Sequence, residues 1–289
     1  MDIDKLINAD TRVKIAKIFN KKAKKGIAAI TDEVFKSYQR EGEGNELEEL
    51  EPGASNEGKA SEPGAFVQQN EAEIEEIIAQ FFIEEKQNLD LKLVGEYLSE
   101  PKDKNNGMNA KVLDHFTKNM DFKGKEFDVA LRSYLKTFKL PVEAQKIDRL
   151  VQKFSEVYVQ QNGQVEGKDE AIKTSDAAYT LAFATIMLNN DLHNPTIKKH
   201  MTFEEFQKNL RGVNDAADFD QDFLKKTYDN IKAKAFDYNF VKEPPGMEIN
   251  SSLLKNDPVF NKLNSAKNLK VSELWKLAKI TLIFKSIVL

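Results

Sequence analysis

Residues 138–158 read FKLPVEAQKIDRLVQKFSEVY. Ile147, Leu150, Val151, Phe154, Val157 and Tyr158 fall at i, i+3, i+4, i+7, i+10 and i+11, so six apolar side chains share one face of a helix. Upstream, Phe127, Leu131, Tyr134, Leu135 and Phe138 make a second helical stripe. Between the two lies a short break containing Pro141 and the carboxylate Glu143. Locally Glu143 has two readings. It can complement the positive end of the following helix, an effect of about 0.3–1 kcal/mol, or it can be a charged tip directed at another molecule.

Working outward, helical periodicity runs from about residue 72 to 235 with no comparable strand-period block. Ile74, Ile77, Ile78, Phe81 and Phe82 form one stripe, and HMTFEEF at 200–206 carries a helix start with Thr202 as N-cap and Glu205 completing a capping box. Residues 11–38 also read as helical, with Gly26 separating two runs. Residues 40–71 are rich in Glu, Gly, Ser and Pro and hold few large apolar side chains. Such a segment buries too little surface to offset its chain entropy, so the expectation is a disordered acidic insertion. Pro244-Pro245-Gly246 marks a boundary, after which the chain turns basic. The main domain is expected to be all-α over 1–238, with 239–289 as a separate extension.

Composition narrows the chemistry. The 289 residues contain no cysteine, which excludes disulfides, thiol nucleophiles and cysteine-ligated metals and fits a reducing compartment. Three histidines (His115, His193, His200) are too few for a histidine-rich metal site; no Asp, Glu or His stands three or four residues from His193, so a hydrogen-bonded structural histidine is the expectation there. A net charge of −4 argues against a general nucleic-acid binder. The N-terminus lacks the apolar core of a secretory signal, and no run reaches the roughly 18 apolar residues that span a bilayer. The expected location is therefore cytoplasmic.

A second informative block, SDAAYTLAFATIMLNNDLHNP, spans 175–195. Ser175 or Asp176 can cap its start, and Asn194-Pro195 closes it. Tyr179, Ala182, Phe183, Ile186 and Met187 make one apolar stripe, and Leu181, Ala184, Leu188 and Leu192 make another roughly opposite. A helix apolar on two faces is buried on both or offers one to a partner. Five polar residues crowd its end: Asn189, Asn190, Asp191, His193 and Asn194. They suggest a functional edge, since a purely structural helix has no need of so many.

Together FKLPVEAQKIDRL and DAAYTLAFATIMLNNDLHNP resemble the two signature motifs of the Sec-seven domain, the exchange domain of activators of Arf-family small GTPases. FNKKAKKGI, FFIEEKQNLDLKLVGEYLSE and MTFEEFQKNLRG follow the same order, so the resemblance covers about 11–38 and 72–236. The continuation KAKAFDYNFVKEPPGMEINSSLL is similar to the RalF type of bacterial exchange factor, in which a capping domain follows. Residues 239–289 would then hold the start of an incomplete cap.

The resemblance implies a right-handed helical superhelix with a hydrophobic groove beside a protruding loop. It implies guanine-nucleotide exchange on an Arf-family GTPase with no cofactor of the chain's own. The loop glutamate, called the glutamic finger in the family, matches Glu143. Groove positions match Tyr179, Phe183, Ala184, Ile186 and Met187, with Asn194 at the polar end, and Asp148 matches a second acidic contact. A RalF-like effector would work in a host cytosol and at its membrane surfaces, and the basic tail permits membrane contact. One departure bears on activity: Val142 stands where the family has glycine, and a β-branched residue resists positive φ. Two alternatives therefore remain: an Arf-binding module with weak exchange because of Val142, and a paired-carboxylate hydrolase using Glu143 and Asp191.

Overall fold

Short polar side chains begin most helices of the computed structural model, which describes residues 3–45, 70–104, 107–141, 143–163, 172–195 and 197–236. Asn8 accepts from the Thr11 amide at 3.0 Å, Asp90 from Lys92 at 2.9 Å, Thr174 from Ala177 at 3.1 Å and Asp220 from Phe223 at 2.8 Å. Each satisfies one amide that a helix start leaves without a partner. At Thr202 the capping box forms in full, with Glu205 returning a bond to the Thr202 amide at 2.9 Å.

The described residues contain eleven helices and no strand, only an isolated bridge between Asn214 and Ala217. In chain order they are α1 (Ile3–Leu6), α2 (Ala9–Lys21), α3 (Ala23–Asn45), α4 (Glu71–Glu84), α5 (Leu91–Leu98), α6 (Met108–Lys118), α7 (Phe127–Leu135), α8 (Ala144–Asn162), α9 (Ser175–His193), α10 (Phe203–Asn209) and α11 (Gln221–Ala233). The all-α expectation is met. Val142, residues 46–69 and the extension 239–289 lie outside the described residues.

Three local expectations change. The break between the first two long helices is at Lys22, whose backbone is extended, and not at Gly26. Gly26 sits inside α3, where a Cβ would lie 2.5 Å from Phe19 Cβ, so glycine serves close helix packing there. Helix α3 continues through Asn45, which moves the start of the expected insertion from residue 40 to 46. The cap of α9 is Thr174, one residue before Ser175.

The chain divides into two compact units. The first comprises residues 1–120 and 137–139. In it α4 packs against α3 and α6, and Phe19, Phe82 and Tyr97 stack edge to face with centroids 5.3 and 5.5 Å apart. Arg12, buried, bonds Glu85 at 2.9 Å and also Asp4. Lys139 donates its amide to Leu91 O at 2.9 Å, and its carbonyl lies so close to α5 that a Cβ on Gly95 would sit 2.1 Å away.

The second unit comprises residues 121–136 and 140 onward. Its core is an aromatic cluster of Phe122, Phe127, Tyr134, Phe154 and Tyr158, with neighbouring ring centroids 5.1–6.3 Å apart. The Tyr134 hydroxyl donates to Leu150 O and the Tyr158 hydroxyl to Lys125 O, both at 3.0 Å. Burial pushes the Tyr158 hydroxyl up to about 12, helped by Asp128 and Glu126.

Arg132 of α7 closes the end of α11. Its guanidinium donates to the carbonyls of Ala235 (2.7 Å), Asn230 (3.1 Å) and Lys234, and lies 4.7 Å over the Phe236 ring. Arg132→Ala strips three carbonyls of a donor and leaves buried Asp128 without its cation. Thermal unfolding should register a loss of about 2–3 kcal/mol, and a change below about 0.5 kcal/mol would show that the clamp is idle.

Candidate functional site

The candidate site residues that the two motifs match all fall in the second unit, on α8 and α9 or at their caps. Glu143 occupies the N-cap position of α8, with φ −76° and ψ 127°. Its carbonyl receives the Lys146 and Ile147 amides at 3.0 and 3.1 Å, which starts the helix. The side chain, however, makes no capping hydrogen bond and is 60% exposed. Among the described residues its partner is Lys146 Nζ at 3.6 Å. That is a loose contact for an ion pair, and the carboxylate keeps water on most sides. The carboxylate thus caps no backbone amide, although it stands at the positive end of α8.

Five residues on, Asp148 is half-buried and accepts a hydrogen bond from the Tyr179 hydroxyl. This bond pins the early turns of α8 to the early turns of α9. Burial, and then Asp148, push the Tyr179 hydroxyl above the ordinary tyrosine range, so it remains a donor. The Tyr179 ring meets Phe183 edge to face at 4.9 Å. The remaining matched positions differ in access. Phe183, Ala184 and Ile186 keep 3%, 6% and 1% of their surface, whereas Tyr179, Met187 and Asn194 are half-buried. A partner arriving at this face would meet Tyr179, Met187 and Asn194 first, with Phe183 and Ile186 as the floor beneath.

The polar run at the end of α9 is largely architectural. Asn189 Oδ1 accepts the Phe236 amide at 2.6 Å, Asp191 Oδ2 accepts the Met201 amide at 2.6 Å, and His193 Nε2 donates to Ile231 O at 2.7 Å. Asn194 is the C-cap of the helix. His193 is therefore a structural histidine, as expected. Asp191, which the hydrolase alternative needs as a proton donor, instead holds the turn before α10, with His200 3.8 Å away. Among the described residues no three His, Asp or Glu side chains gather as a metal site requires.

An exposed carboxylate that caps no amide, at the start of a helix packed against the one that bears an aromatic and methionine stripe, suits recognition more than bond-making. The Sec7 domain family model matches residues 9–236. This chain belongs to the Sec7 domain family. Its likeness to the N-terminal Sec7 domain of RalF is 42% identity with a TM-score of 0.60, over 82% of this chain and 96% of that one. A Sec7 domain solved with ARF1-GDP and brefeldin A is 29% identical, TM-score 0.56, over 79% of this chain and 93% of that one. The ADP-ribosylation factor guanine nucleotide-exchange factor sec71 of Schizosaccharomyces pombe is 44% identical over 155 residues, 54% of this chain and 8% of that protein. The curated relatives are long, and the match takes in 8–13% of their lengths.

Within this Sec7 domain the motif match did not single out Lys146. Its side chain is only 14% exposed, so it holds a nearly fixed position three residues after Glu143. The signal was present as an acid–base pair at i, i+3 across a helix start.

Proposed function

We propose that this Sec7 domain is a guanine-nucleotide exchange factor for an Arf-family small GTPase, of the RalF type, and that Glu143 is its catalytic finger. The observation that carries the reading is the state of Glu143: at a helix start, exposed, and bonded to no backbone amide. A GTPase retains GDP through a phosphate-cradling loop, a lysine and magnesium. A carboxylate placed in that site repels the β-phosphate, competes for the lysine and disfavours the metal. At about 4 Å and an effective dielectric near 20, one such repulsion is roughly 4 kcal/mol. That weakens nucleotide binding about a thousandfold.

The other matched residues take supporting parts. Tyr179, Phe183, Ala184, Ile186 and Met187 form the apolar seat for the GTPase, Asn194 its polar end, and Asp148 an acidic contact braced by the Tyr179 hydroxyl. No covalent step and no cofactor of this chain enter. Residues 239–289 begin a RalF-like cap.

Release of a fluorescent GDP analogue from a panel of purified Arf proteins tests the reading. Acceleration of at least one Arf by catalytic amounts of the chain is expected, and none across the panel would sink it.

Val142 supports a second reading, an Arf-binding module with weak exchange, because a β-branched residue next to the finger narrows its backbone choices. Val142→Gly should raise the release rate several-fold without tightening Arf binding. An unchanged rate would mean that the neighbour does not restrict Glu143.

A further inference from the structure

The hairpin of α2 and α3 carries a charge pattern that the exchange reading does not use. Lys14, Lys17, Lys21, Lys22, Lys24 and Lys25 are all exposed, and among the described residues none has an ion pair or side-chain hydrogen bond. Some other exposed lysines sit within reach of a carboxylate, for instance Lys104 at 2.8 Å from Glu100 and Lys118 at 2.6 Å from Asp114. On α2, Lys14, Lys17 and Lys21 recur at i, i+3 and i+7 on the face opposite buried Ile15, Ala16 and Phe19. Ile18, 40% exposed, lies on the same stripe and is one of the few large apolar side chains left in solvent. Gly26 lets α3 close on Phe19, which keeps Lys24 and Lys25 at the same corner. Carboxylates near the stripe are few: Asp10 one turn before Lys14, and Asp90, whose side chain is committed to capping α5.

We propose that this corner docks on an anionic lipid surface, with the lysines at the headgroups and Ile18 entering the boundary below them. The proposal stands apart from the exchange reading and does not depend on Glu143. A nucleic acid is disfavoured by the net charge of −4 and gains nothing from an isoleucine amid the cations. A bilayer uses both, since basic residues meet its surface potential and an apolar side chain enters its interface.

Near an anionic membrane each lysine changes partitioning by roughly fivefold. The test is co-sedimentation of the full chain with vesicles of phosphatidylcholine alone or with about 30% phosphatidylserine at ~0.1 M salt, where surface charge still acts over about 10 Å. The variants are Lys14→Gln/Lys17→Gln/Lys21→Gln and, as a control of equal charge change, Lys104→Gln/Lys118→Gln/Lys225→Gln. Wild type should bind the anionic vesicles at least about 100-fold better than neutral ones, the first triple should lose on the order of 100-fold, and the control should stay within about twofold. Circular dichroism melts should be the same for all three proteins. A loss under tenfold in the first triple overturns the proposal. So do an equal loss in the control, no preference for anionic vesicles, and tighter binding to a polyglutamate peptide or DNA oligonucleotide than to vesicles.

Discussion

Replacing Glu143 by lysine is expected to slow GDP release from the Arf partner about a thousandfold, to near the unassisted rate. On the proposed reading the wild-type carboxylate opposes the β-phosphate, whereas an ammonium at the same place would join the cations that hold it. The cost to the fold is small because the side chain is 60% exposed and caps nothing. A lysine there faces Lys146 and the positive end of α8, which together cost about 1 kcal/mol at most. Loss of exchange should therefore come with an almost unchanged melting temperature and with continued binding of the GDP-bound GTPase through the α9 surface. Measured release rates would contradict the assignment if the variant and wild type were equally active.

Gly95→Ala is expected to be the most damaging single methyl in the first unit. At an exposed helix position this change stabilises by up to about 1 kcal/mol through helix propensity. Here the added Cβ would stand 2.1 Å from the Lys139 carbonyl oxygen and 3.2 Å from its carbon. A backbone atom cannot swing aside as a flexible side-chain tip can. To admit the methyl, residues 138–139 must withdraw, breaking the 2.9 Å bond from Lys139 N to Leu91 O and displacing Phe138 from Phe116. The expected loss is about 3 kcal/mol, or roughly 10 °C in melting temperature for a domain of this size. A melt within a degree of wild type would mean that the close approach of Lys139 to α5 is not maintained in solution.

Much of the fold was legible because its determinants are local. The stripe from Ile147 to Tyr158 became α8, and the Thr202–Glu205 box became the start of α10. What escaped was decided by distant partners. Gly26 looks like a break from its neighbours alone, yet it is required by Phe19 on the adjoining helix. That the polar run Asn189–Asn194 also serves the fold was not readable, because its partners Phe236, Ile231 and Met201 lie 10 to 47 residues away. The extension of α3 to Asn45 crosses a glycine-containing stretch that propensity alone would have ended earlier.

The candidate site divides the same way. Motif resemblance nominated Glu143 and the α9 stripe, and the structure adds what no motif carries: a carboxylate that caps nothing, a lysine beside it, and an Asp148–Tyr179 bond that fixes the two helices together. Which groove side chains are accessible was not readable either. Periodicity puts Ile186 and Met187 on one stripe, but packing leaves Ile186 1% exposed and Met187 half-buried.

The central claim is that the charge of Glu143, more than its shape, expels the nucleotide. Glu143→Gln keeps size and shape and removes the charge, exchanging one acceptor oxygen for an NH2 donor. Stopped-flow release of fluorescent GDP from the responsive Arf protein should then fall by on the order of 100-fold or more, with affinity for the GDP-bound GTPase held within about twofold. A glutamine variant that releases GDP as fast as wild type would contradict the account.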